Sequence, residues 1–320
     1  MPNVQMSPDV AFGAGNYYVV WSDARDNFYY RIYGSRVSPA GTVLDPAGVQ
    51  LGPTNNLYQY YPAVAFDGTR FLCVWEYGTS PYQIMGRFIN SGGTLADTVK
   101  IATPAGYVYT LRLVFNGSNY MVAWSEYSGS QYQLKGLRLT TAGVPIGSPF
   151  IVATGIELST IGLRWDGYNY LFTYSQSGGS VYQIFGQFYT AAGVPSGSAF
   201  RISNSTYSCY YGDMIPGPGN RYLNVWTETR ANYDIYGNID VQVGIDEGGS
   251  QNRTDVRLKS TVVTNAIELI GQSIELPIYD SNGRLVGRLN NGKYDCSGLN
   301  NGVYFLKLPA GPALKVVKIK

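Results

Sequence analysis

The chain of 320 residues is 45% hydrophobic and only 14% charged, with a net charge of +2 and no histidine. This is the balance of a packed globular protein; with no basic or acidic block, nucleic-acid binding has no electrostatic support. The apolar runs fall far short of the roughly 20 residues of a membrane helix, so no membrane span is expected.

The chain opens on Met1-Pro2-Asn3-Val4-Gln5, which lacks the basic start and apolar stretch of an export leader. A repeat of about fifty residues then runs five times. Its anchor is an aromatic at the end of an apolar run: Trp21, Trp75, Trp124, Tyr174 and Trp226. Four residues earlier stands a second aromatic: Tyr17, Phe71, Tyr120, Tyr170 and Tyr222. Two glycines follow, seven residues apart: Gly34 and Gly41, Gly86 and Gly93, Gly136 and Gly143, Gly186 and Gly193, Gly237 and Gly244. Self-similarity at this period is the signature of a repeat architecture.

One repeat reads as four strands. In the second they are 63–66, 71–76, 82–90 and 98–102, with an Asp67-Gly68 turn after the first and a Gly92-Gly93 turn after the third. Helical periodicity is absent. A four-stranded sheet that is apolar on both faces needs cover on both, and radial packing of such sheets supplies it. The expected fold is all-β: a five-bladed β-propeller with four-stranded blades over 1–246. The fifth repeat shows three strands, while Asn3-Val4-Gln5-Met6 resembles the fourth strand Gly48-Val49-Gln50-Leu51. The N-terminal strand is therefore expected to close the last blade. Trp21-Ser22-Asp23-Ala24-Arg25 with Ile32-Tyr33-Gly34, and Trp226-Thr227-Glu228-Thr229-Arg230 with Ile235-Tyr236-Gly237, resemble the propeller-forming repeats of bacterial and archaeal extracellular proteins. That resemblance speaks for fold and says little of function.

Past Gly248-Gly249-Ser250-Gln251-Asn252, a short linker, the repeat ends. Strand-like runs at 260–263, 273–279, 284–289, 302–308 and 314–319 predict a small C-terminal antiparallel, Ig-like β-sandwich over 247–320. The stretches Ile278-Tyr279-Asp280-Ser281-Asn282-Gly283-Arg284, Leu299-Asn300-Asn301-Gly302-Val303-Tyr304 and Lys315-Val316-Val317-Lys318 resemble the C-terminal sorting domains of type IX secretion in Bacteroidetes-like bacteria. The resemblance implies a bacterial protein exported to the cell surface or medium, its leader absent from this sequence. The alternative is a related Ig-like module with no sorting role.

Chemistry is harder to find. The lack of His removes the usual triads and His-ligated metals, and neither a Cys ligand spacing nor a phosphate-binding glycine loop is present. No cofactor and no metal is expected. Of the three cysteines, Cys73 reads as a small core residue where Val19, Val122 and Phe172 stand in other repeats; Cys209 and Cys296 could pair. Asp23, Glu126 and Glu228 each follow the anchor aromatic by two residues. They are copies of one repeat position, whereas glycoside hydrolysis needs unlike carboxylates in one funnel. A structural role is expected for them, and a propeller glycosidase is the minor alternative.

The third strand of each repeat begins with a tyrosine, Tyr30, Tyr82, Tyr132, Tyr182 and Tyr233, followed by Gln83, Gln133 and Gln183 in three of them. Ring stacking beside an amide suits a sugar, and five copies would give avidity. The competing reading is that each tyrosine wedges between blades. The sequence thus favours a secreted, non-catalytic binding protein for a glycan or surface polymer. The alternative is a self-assembling structural subunit of an extracellular filament or surface layer.

Overall fold

A computed structural model describes residues 4–25, 29–177, 179–217, 221–229, 233–238, 257–258, 262–263, 265–270, 275–281, 283–307 and 314–319. It divides into two compact units, Met1–Ile245 and Asp246–Lys320. No helix occurs among the described residues.

The first unit is five consecutive antiparallel sheets, each a simple meander. The first sheet comprises Gln5–Gly13, Asn16–Asp23, Arg31–Val37 and Val49–Gln50. The second comprises Gln59–Phe66, Arg70–Tyr77, Gln83–Asn90 and Leu95–Ala102. The third comprises Val108–Phe115, Tyr120–Ser128, Gln131–Leu139 and Pro145–Thr154, and the fourth Ile156–Trp165, Asn169–Ser177, Tyr182–Thr190 and Pro195–Arg201. The fifth shows Cys209–Gly217, Arg221–Thr229 and Tyr233–Asn238 among the described residues. Gly244, the linker at 248–252 and Arg230 lie outside them.

Local chemistry sets the turns. Asp67 Oδ1 accepts the amides of Thr69 and Arg70, both at 2.8 Å, and Asn116 and Asp166 close the matching turns in the same way. The repeat's two glycines serve different ends. Gly93, at φ +90°, turns the chain from third strand to fourth, its amide donating to the Asn90 carbonyl. Gly136 has ordinary dihedrals but no room: a Cβ there would lie 2.5 Å from the Phe150 ring.

The first strand of each sheet lies beside the first strand of the next. Between them the sheets pack face to face, always in the same sense. Tyr18, Val20 and Ile32 of the first sheet meet Phe71, Cys73 and Trp75 of the second. Leu72, Val74 and Ile84 then meet Tyr120, Val122 and Trp124. Met121, Ala123 and Leu134 meet Tyr170, Phe172 and Tyr174, and Leu171 and Ile184 face Tyr222 and Trp226 of the fifth. The anchor aromatics and the residues four before them are thus one face of the repeat, and each covers the back of the sheet before it.

The expected closure by the N-terminal strand is corrected. Gln5 and Met6 pair with Asp23 and Ser22 inside the first sheet, and the Ala24 amide donates to the Val4 carbonyl at 3.0 Å. The segment is the start of the first strand, continuing past a bulge at Ser7-Pro8. Equivalent bulges fall at 61–62 and 211–212, so the repeat's first strand is longer than its apolar core suggests. The likeness of residues 3–6 to a fourth strand is only shared apolar alternation.

The second unit holds one sheet of Arg257–Leu258, Ala266–Ile270 and Lys293–Asp295, and another of Val262–Val263, Leu314–Lys318, Gly302–Leu306, Leu276–Asp280 and Leu285–Leu289 in spatial order. One pair, Val262–Val263 with 317–318, is parallel, where an all-antiparallel sandwich was expected. Ile267, Leu276, Ile278, Leu306 and Val316 form its core. All three cysteines are free and buried.

Leu72, fully buried between the second and third sheets, measures the repeating interface. Leu72→Ala is expected to lower the unfolding free energy by about 2–5 kcal/mol in urea titration. A loss under about 1 kcal/mol would show that the interface is loose.

Candidate functional site

The carboxylates that follow the anchor aromatics are consumed by their own sheets. Asp23 accepts the Trp21 indole N–H at 2.8 Å and pairs with Arg25 at 2.6 Å. Burial opposes its charge, but the Arg25 and Trp21 hydrogen bonds outweigh that and hold its pKa below the usual range. Glu126 repeats the arrangement, with the Trp124 indole N–H and Lys135 Nζ each at 2.6 Å. Glu228 accepts the Ser205 hydroxyl. All three side chains are buried. They tie the end of the second strand, the structural role expected of a repeated position.

Of the tyrosines that open the third strands, Tyr30, Tyr82, Tyr132 and Tyr182 are half-buried and held by ring contacts. Tyr30 meets Tyr60 and Tyr82 meets Tyr107, both at 5.1 Å between centroids, and Tyr182 meets Tyr210 at 5.6 Å. Tyr60 and Tyr210 belong to the first strand of the next sheet and Tyr107 immediately precedes it, so these three wedge between sheets. Tyr132 contacts Tyr109 of its own sheet at 5.4 Å, and Tyr233 is 72% exposed. The five are therefore unlike in setting. Gln183 is buried, and its amide is spent on Ser203, Ser205 and Tyr207, leaving nothing for a ligand. Gln83 and Gln133, its counterparts, are half-buried.

A different set lies where the first strands converge. Asp9, Arg112, Arg164 and Asp213 come from the first, third, fourth and fifth sheets; Asp9 and Asp213 each lie within electrostatic reach of Arg112, and Arg164 reaches Asp9 and Arg112 and pairs with Asp213. Asp9, Arg112 and Asp213 hold one repeat position, opposite the residue before the anchor: Val20, Ala123 and Val225. The other two copies are Ala63 and Gly162. One repeat position has thus been given over to unlike residues. Sequence reasoning passed over it because no common residue marks it. The signal available was the reverse: a strand position within a close repeat where residue type is not kept.

The two carboxylates differ in environment. Burial raises the Asp9 pKa, against the Val64 amide that donates to Oδ2 at 2.8 Å. The Asp213 side chain is 60% exposed and pairs with Arg164 at 2.8 Å. Burial also lowers the pKa of the Arg112 guanidinium, with Asp9 and Asp213 opposing the change. A carboxyl biased toward its acid and a carboxylate held by a guanidinium are the unlike pair that acid–base chemistry requires.

A second feature also escaped sequence reasoning. Glu76 is fully buried, and neither of its oxygens has a hydrogen-bond partner among the described residues; nor has the indole N–H of Trp75 beside it. Its counterparts are Ser22, Ser125, Ser175 and Thr227. Ser175 shows what a hydroxyl does there: it donates to the Cys209 carbonyl of the next sheet at 2.7 Å. Burial alone pushes the Glu76 carboxyl up to about 8.

The strands of the second unit coincide with a family match over residues 258–319. This segment is a secretion system C-terminal sorting domain. The chain is accordingly an exported protein of the cell surface or the medium. No curated protein matches it. Among solved structures it is similar to an alpha-L-arabinofuranosidase from Lactobacillus brevis, at 9% identity and TM-score 0.46 over 73% of this chain and 90% of that one. It is also similar to an alpha-L-arabinofuranosidase catalytic domain from Coprinopsis cinerea (13% identity, TM-score 0.44, 76% and 86% covered) and an endo-arabinase from Bacteroides thetaiotaomicron (12%, 0.42, 74% and 95%). At these identities the likeness is one of fold. The expectation of a non-catalytic protein is corrected: the similar structures are mostly glycoside hydrolases.

Glu76 gives a pH dependence of known sign. The folded state keeps the proton until about pH 8, while the unfolded chain releases it near 4.5. Stability should therefore fall as pH rises through that window, by on the order of 5 kcal/mol in total. Glu76→Gln should remove this component, seen as a smaller difference between urea midpoints at pH 5 and pH 9. An unchanged difference would show that Glu76 ionises freely in the folded protein.

Proposed function

We propose that the five sheets are blades of a β-propeller and that its axis carries a glycoside-hydrolysing centre, presented outside the cell by an exported chain whose second unit is an Ig-like sandwich. The observation that carries this reading is that Arg112 lies within electrostatic reach of both Asp9, raised toward its acid form by burial, and Asp213, held against Arg164. Asp9 would protonate the leaving oxygen of a glycosidic bond. Asp213 would act on the opposite side of the sugar ring, as base or nucleophile. Arg112 and Arg164 bring two positive charges to the same space, where they can orient hydroxyl groups and offset the acidic pair. The half-buried tyrosines suit a neutral polysaccharide as partner, by stacking and hydrogen bonding at the rim. Tyr30, Tyr82, Tyr132 and Tyr182 would serve there as a wall around one centre.

The test is release of reducing ends from a panel of plant and bacterial polysaccharides. Hydrolysis of at least one is expected, with Asp9→Asn and Asp213→Asn each slowing it by about 10²–10⁴-fold. No hydrolysis by the unaltered protein, or full activity in both variants, would overturn the assignment.

A further inference from the structure

Arg112 and Arg164 are two guanidiniums anchored in the same way and finished differently. Each donates from Nη1 to the carbonyl of the residue before it, Leu111 or Leu163, at 2.9 Å. Arg164 then turns Nη2 to Asp213 at 2.8 Å. Arg112 has no such partner: the bond to Leu111 is its one hydrogen bond among the described residues. Both carboxylates within its electrostatic reach are engaged elsewhere. Asp9 accepts the amides of Val64 and Val10, and Asp213 accepts the Met214 amide besides Arg164. The sheets on either side offer nothing in exchange, since the repeat position of Arg112 is Ala63 in the second and Gly162 in the fourth. Neither has a side chain long enough to reach it. Burial nonetheless opposes the Arg112 charge, so a cation that has lost water has gained no counter-ion in contact. The residue is only half-buried, which leaves it open to a ligand.

We propose that Arg112 takes the anionic group of an acidic sugar, a uronate carboxylate or a sulfate ester, on its unpaired N–H groups. The fork of a guanidinium fits either group with two parallel hydrogen bonds, and such charge-assisted pairs are the strong ones. This deepens the hydrolytic reading and rests on it, because it makes the acidic unit the sugar on which Asp9 and Asp213 act. The tyrosines at the rim suit uncharged units, and the acid belongs to the unit seated at the centre. Arg164, already neutralised by Asp213, has no comparable vacancy. Asp9 is affected in turn. The Arg112 charge is one of the influences that favour its ionised form. An anion held by Arg112 cancels that influence and helps Asp9 keep its proton until the leaving oxygen takes it.

The experiment measures binding of glucuronate, a glucose sulfate ester, glucose and inorganic sulfate to the full chain by isothermal titration calorimetry. At least one of the two acidic sugars should bind tenfold more tightly than glucose and than inorganic sulfate, and the tighter of the two names the acid. Arg112→Gln should abolish that preference with the circular dichroism unchanged. Equal affinity for acidic and neutral sugars would overturn the proposal. So would inorganic sulfate bound as tightly as either acidic sugar, or a preference that survives in the variant. Should Arg112→Gln fail to fold, the unaltered protein decides. The methyl ester of glucuronate should bind no better than glucose, and equal binding of acid and ester would remove the site. Binding is read without turnover, so the two readings fail separately. An acidic sugar held through Arg112 by a protein that cuts no polysaccharide ends the hydrolytic reading and leaves this site standing. Cleavage of a polysaccharide with no binding preference for the acidic sugars ends this one alone.

Discussion

The contact on which this structure depends is the seating of one sheet's anchor face on the back of the sheet before it. Apolar area removed from water contributes roughly 25 cal/mol per Å², and the repeat concentrates large aromatics where that burial is most complete. Trp75 and Trp124, with Phe71, Tyr120, Tyr170 and Phe172, are all but sealed from solvent. A sheet that is apolar on both sides cannot stand alone. Each unit is stabilised mainly by its neighbours, and the stability of the array is close to a sum of repeat and interface contributions.

Such packing separates two kinds of position. Those facing a neighbouring sheet are tied to one residue class, because a change in volume is felt on both sides. The first-strand position held by Asp9, Ala63, Arg112, Gly162 and Asp213 has instead not kept one residue type. Asp9, Arg112 and Asp213 illustrate the result: one position, three different chemistries, supported by an almost uniform scaffold.

The contrast also explains what could be read from the sequence. The anchors, the glycine pairs and the Asp-Gly turns are local or periodic signals, and they located the repeats and nearly every strand. The tyrosines at 30, 82 and 182 were equally periodic, and their ring contacts with the next sheet are one source of that periodicity. The axial set depends on which strands converge, a property of the assembled array. Glu76 stayed hidden because its neighbours in space, Tyr60 and Tyr107, are distant in sequence. In the second unit, Ala266–Ile270 and Lys293–Asp295 were missed because short strands paired across a gap of two dozen residues leave little pattern.

Free cysteines in an exported protein carry a further consequence. Cys73, Cys209 and Cys296 are all buried, and burial raises their pKa values, so the folded chain presents no thiolate to an oxidising medium. That protection belongs to the fold alone. Once the first sheet lifts from the second, Cys73 meets oxidants or another chain's thiol, and a mixed disulfide or a sulfenic acid can no longer fit the space it left. Opening then becomes a one-way event. The lifetime of the molecule outside the cell is set by how rarely the sheets part, a matter of barrier height more than of equilibrium.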